Sequence, residues 1–83
     1  MNKTNHARKR QQQRCIKDKT IGLLMTIGNR FKKGDVEIIC FPRTMKDFLE
    51  KKYPKIKNIS KAYLVMSLRD GAVITVGHQY KYH

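Results

Sequence analysis

His6, Arg10 and Arg14 recur at intervals of four residues, so a helix through them presents all three on one face. At the other end of the chain His78 and Tyr80 follow Val76 at intervals of two and continue one face of a strand. Cleavage of RNA without a metal needs such a set. A base takes the 2′-hydroxyl proton, a cation stabilises the pentacovalent phosphate, and an acid protonates the leaving oxygen. Histidine serves as base or acid near neutral pH, and arginine grips phosphate with two parallel hydrogen bonds. The same residues on a basic helix equally suit plain phosphate contact. Tyr80 and Tyr82, beside Gln79 and Lys81, either stack on bases or cover the edge of a sheet. The candidate catalytic residues are therefore His6, Arg10, Arg14, His78 and Tyr80. Other chemistries lack their motifs: there is no glycine-rich phosphate loop, no HExxH and no ligand cluster, so neither metal nor small-molecule cofactor is expected. Cys15 and Cys40 have no CxxC spacing and read as small buried hydrophobes.

Several elements must position these groups. Thr4 or Asn5 can cap a first helix over 5–14, in which Ala7 is nearly the only apolar residue before Cys15 and Ile16. Such a helix packs through the aliphatic stems of its long side chains or orders upon a partner. Asp18 is placed to cap a second helix over 18–27, with Ile21, Leu24 and Met25 on one stripe and Gly28 as its stop. The turn Lys32-Lys33-Gly34-Asp35 opens the β-rich run 36–41, so 30–41 reads as a hairpin or as one strand with a bent lead-in. Thr44 with Asp47 resembles a capping box for a third helix over 44–53, ended by Pro54. A basic connector, 55–61, leads to two β-rich runs, 62–68 and 72–76, joined through Arg69-Asp70-Gly71, a hairpin signature. Tyr63 is expected to pack in that sheet. The order α-α-β(β)-α-β-β predicts an α+β domain with helices packed on one face of a small antiparallel sheet. One domain spans 1–83, with 1–5 and 81–83 frayed.

The charge is lopsided, with 19 Lys and Arg against 6 Asp and Glu, or +13 on 83 residues. A hydrophobic fraction of 40% still suffices for a small core, so the charge does not imply disorder. Residues 1–17 carry Lys3, Arg8, Lys9, Arg10, Arg14 and Lys17 with no acid, and a second acid-free cluster holds Lys51, Lys52, Lys55, Lys57 and Lys61. Clustering of this kind marks a polyanion footprint, whereas solvating charge is scattered. With Lys81, these residues are the candidate contacts to nucleic acid, which makes RNA or the ribosome the expected partner. No apolar run approaches the ~18 residues of a membrane span, and the N-terminus lacks the apolar middle of a signal peptide, so a soluble cytoplasmic protein is expected.

The string His6-Ala7-x-x-Arg10-x-x-Gln13-Arg14-x-Ile16 and the string from Asp70 to Tyr80 together resemble a widespread group of small bacterial proteins of unknown function. That group is compared with BrnT-like toxins and the wider RelE-type ribonuclease fold. The resemblance follows the order of elements along most of the chain, with the specific motifs at its two ends. It implies a RelE-like domain with a basic groove for RNA, and for a toxin an antitoxin protein partner. The motif residues are His6, Arg10, Arg14, His78 and Tyr80. One position departs: the group has Gly after the second Arg, where this chain has Cys15, which matters because Gly reaches positive φ freely. The leading expectation is an RNA-binding domain acting as a metal-independent ribonuclease toxin. A non-catalytic nucleic-acid- or ribosome-binding module of a phage or plasmid type is the alternative.

Overall fold

The computed structural model describes residues 2–79. It has the α+β order α-α-β-β-α-β-β: α1 (Asn5–Gln13), α2 (Asp18–Ile27), β1 (Asn29–Lys33), β2 (Val36–Cys40), α3 (Lys46–Lys52), β3 (Ala62–Ser67) and β4 (Val73–His78). The strands form one antiparallel sheet in sequence order, β1-β2-β3-β4, because every connection between neighbours is a hairpin or a short helical excursion. Residues 30–41 thus resolve as a hairpin, turning on Gly34-Asp35. The second hairpin turns on 68–71, where Gly71 has φ +71 and the Asp70 carboxylate accepts from the Ala72 N–H at 3.0 Å.

Alternation along the strands sends Ile39, Leu64 and Val76 to one face as a single cross-strand row. All three are buried, in one cluster with Ile21 and Leu24 of α2, Leu49 of α3 and Ile59. Burying each such side chain contributes about 2 kcal/mol. Glu37 shares this face and is neutralised by Arg30, whose Nη1 donates to Glu37 Oε1 at 2.8 Å and whose Nη2 donates to the Met25 carbonyl at 2.9 Å.

The N-terminal residues, expected to fray, lie along β4. Val73 N–H donates to the Asn2 carbonyl at 2.8 Å and Thr4 N–H to the Val73 carbonyl at 3.0 Å. A bulge makes this attachment possible. Val65 pairs with Thr75 but Met66 with Val73, so Ile74 is the extra residue, and its carbonyl accepts from Thr4 Oγ1 at 3.0 Å. The same Oγ1 accepts from Ala7 N–H and caps α1, so Thr4 rather than Asn5 is the cap. Ala7 is fully buried, which seats an otherwise polar helix on the sheet.

The expectations for Asp18, Thr44 and the two cysteines change. Asp18 does not cap α2: Lys17 holds the cap position without a side-chain bond, and Asp18 instead accepts from Lys3 Nζ and Gln11 Nε2, both at 2.6 Å. The Lys3 bond first, then the Gln11 bond, hold its carboxyl below the usual range. Thr44 does not cap α3, because Pro42 supplies the extended residue and its carbonyl accepts from Met45 N–H at 3.0 Å; a 3-10 turn, Arg43–Met45, therefore precedes α3. Gly28 stops α2 as expected, at φ −72; a Cβ there would strike the Leu24 carbonyl and come within 2.6 Å of Ile39 Cγ2. Cys15 is exposed rather than buried, Cys40 is half-buried, and both are free thiols.

Candidate nucleic-acid interface

α1 ends in a Schellman turn. Ile16 N–H donates to the Gln11 carbonyl at 2.9 Å and Cys15 N–H to the Gln12 carbonyl at 3.2 Å, with Cys15 at φ 53. The turn that glycine would make is thus made by cysteine, and buried Ile16 supplies its apolar anchor. It sets Gln13, Arg14 and Cys15 at the far end of α1.

The connector after Pro54 approaches the same place. Ile56 packs against the core and Ile59 is buried, so the lysines flanking Ile56 stay exposed. Asn58 is left-handed at φ 57 and its carbonyl accepts from Lys61 N–H at 3.0 Å, which closes a 3-10 turn, Ile59–Lys61, leading into β3. Ala62 at the start of β3 pairs with His78 at the end of β4, so the connector, the end of β4 and the end of α1 meet. Between them lies a groove of about 490 Å³ lined by Arg14, Lys17, Lys55, Lys57 and His78, together with Ile56 and Asn58. None of the chain's 6 acidic side chains lines it.

The two basic clusters therefore converge, but not every candidate joins them. α1 starts against Val73 and Ile74 and ends beside His78, so it runs along β4 from start to finish. His6 lies two turns, about 12 Å, back from Arg14. It is exposed and lies outside the groove, as does Arg10, so the face shared by His6, Arg10 and Arg14 reaches His78 only through Arg14. Arg8 faces a separate depression with Lys3 and Gln11. Lys9, Lys51 and Lys52 are exposed elsewhere, Lys52 standing 5.4 Å over the Phe48 ring. Lys61 does not line the groove, yet its charge acts on His78. Tyr80 and Lys81 lie outside the described residues. Ile56 and Asn58 were not legible as groove residues, although the alternation Lys55-Ile56-Lys57 is the signature of two exposed cations about one buried anchor.

Burial, then the charges of Arg14 and Lys61, push the His78 imidazole below its ordinary 6.5. It is therefore neutral at pH 7, a proton acceptor among cations. A phosphate entering the groove would offset those cations and draw a proton onto the imidazole. The Cys40 thiol is pushed up by burial, which keeps it from acting as a thiolate at neutral pH. Among the described residues no three of His, Cys, Asp and Glu converge as metal ligands, and no helix is long and apolar enough to cross a membrane.

No protein-family model, curated protein or solved structure matches the chain. Function is accordingly argued from the groove, because a fold alone does not fix it.

Proposed function

We propose that this chain is an RNA-binding domain that grips the phosphate backbone in the groove between the end of α1, the 55–58 connector and His78. One observation carries the reading: the two basic clusters, remote in sequence, supply Arg14, Lys17, Lys55 and Lys57 to one acid-free groove. Lysine and arginine bind phosphate there by charge and by release of counterions. The resemblance to BrnT-like and RelE-type toxins extends the reading to a metal-independent ribonuclease of the cytoplasm with an antitoxin partner. Neutral His78 would then take the 2′-hydroxyl proton as the 2′ oxygen bonds to phosphorus, Arg14 would stabilise the phosphorane, and the His78 imidazolium would return the proton to the 5′ oxygen as its bond to phosphorus breaks.

A second reading, a non-catalytic nucleic-acid- or ribosome-binding module, is favoured by a specific observation: His6 and Arg10 stand outside the groove, leaving His78 as its one titrating group near neutrality among the described residues. Incubating the protein with labelled single-stranded RNA in EDTA, beside a His78→Ala variant, separates the two. Cleavage that survives EDTA and is lost with His78 supports the ribonuclease. Salt-sensitive binding without cleavage supports the module.

A further inference from the structure

The helices cover one face of the sheet and leave the other to Phe31, Ile38, Val65 and Thr75, a single row across β1 to β4. In the next row Tyr63 lies over Gly77, where a Cβ would stand 2.9 Å from the tyrosine hydroxyl. Phe31 is different: 54% of it is exposed. It borders a pocket of about 400 Å³ together with Ile38, Cys40, Pro42, Arg43 and Ser60.

The pocket is apolar where Phe31, Ile38 and Pro42 line it and carries one cation, Arg43, beside the neutral Asn29, Ser60 and Gln79. Pro42, Arg43 and Ser60 are shared with an adjoining depression lined also by Lys46 and Lys61. Lys61 in turn is one of the two cations that act on His78. Arg43, Lys46 and Lys61 thus line a depression beside the Phe31 pocket, and Lys61 adjoins the end of β4, where its carbonyl accepts from the N–H of Gln79, the residue after His78, at 2.7 Å. No acidic side chain lines either depression. An apolar slot with an exposed ring, reached along a row of cations, fits a nucleobase whose backbone follows the cations. A second copy of a chain at +13 fits this rim poorly.

We infer that the Phe31 pocket takes an unstacked base of single-stranded RNA, the strand crossing Arg43 and Lys61 to reach the His78 groove. This rests on the RNA-binding reading and adds its substrate class, because bases locked in an A-form duplex cannot enter such a pocket. The test compares wild type, F31A and F31Y. Each is titrated against a labelled single-stranded RNA of about ten nucleotides, the same RNA as a duplex, and inorganic polyphosphate. F31A weakens single-strand binding about tenfold, F31Y restores it, and polyphosphate binding is equal in all three.

Equal single-strand affinity of wild type and F31A overturns the base pocket and leaves the face to a protein partner. An equal loss on polyphosphate overturns it too, by showing a general effect on the fold or field. Wild type binding duplex as tightly as single strand removes the base pocket alone, whereas wild type that binds neither RNA removes the RNA-binding reading with it. Self-association in sedimentation that F31A abolishes assigns the face to a second copy and likewise overturns the proposal.

Discussion

Two residues set the conformation and the charge state of the groove. Cys15 holds a left-handed backbone, which costs an L-residue with a Cβ about 1 kcal/mol relative to glycine. Cys15→Gly is expected to raise stability by about 1 kcal/mol, read as a later midpoint in urea with an unchanged slope; an earlier midpoint would show that the thiol holds the turn in another way. His78 sets the pH dependence. Its folded pKa lies below its unfolded value near 6.5, so its contribution to stability is fully present above 6.5 and is lost as the pH falls through the folded value. Phosphate counters the Arg14 and Lys61 charges that lower the imidazole and leaves its burial in place. RNA affinity is therefore expected to rise as the pH falls through the histidine range, in H6Q as in wild type and much less in H78Q. Titrations by fluorescence anisotropy check this, and a slope that vanishes in H6Q would transfer the effect to the wrong end of α1.

Among the elements, α1 depends most on a single contact. Thr4 caps the helix, binds the carbonyl freed by the β4 bulge and so fixes where Arg14 ends up. Thr4→Ala is expected to cost about 1–2 kcal/mol and to speed hydrogen exchange in α1 ahead of β2 and β3, with Thr4→Ser largely normal. Uniform exchange across the molecule would show that α1 does not open by itself. The strands were legible in the sequence because Asp70-Gly71 and Gly34-Asp35 mark turns between runs of β-formers, and α2 because Ile21 and Leu24 fall on one stripe. The bulge at Ile74 and the docking of residues 2–4 were not. They arise from hydrogen bonds between segments some seventy residues apart, as in Thr4 to Ile74, which no local pattern records. Asp18 and Thr44 misled for a related reason: each is a good cap residue, but Lys3 and Gln11 claim the first and the Pro42 carbonyl starts the turn before the second.

At the scale of the whole molecule, charge is what the sequence disclosed, and its convergence is what the fold added. Arg14, Lys17, Lys55, Lys57 and His78 were all identifiable as candidates, yet spacing could not separate Arg14, which lines the groove, from Arg10, one turn earlier, which does not. The run of α1 along β4 decides that. If RNA phosphates sit in this groove, the salt dependence of single-stranded RNA binding reports the cations that hold them. Arg14→Ala with Lys57→Ala should lower the magnitude of the slope of log affinity against log salt by about 1.4, while Lys51→Ala with Lys52→Ala, an equal loss of charge on α3, should leave it near wild type. Equal losses from both pairs, or an unchanged slope in the groove pair, would show that the phosphates bind elsewhere.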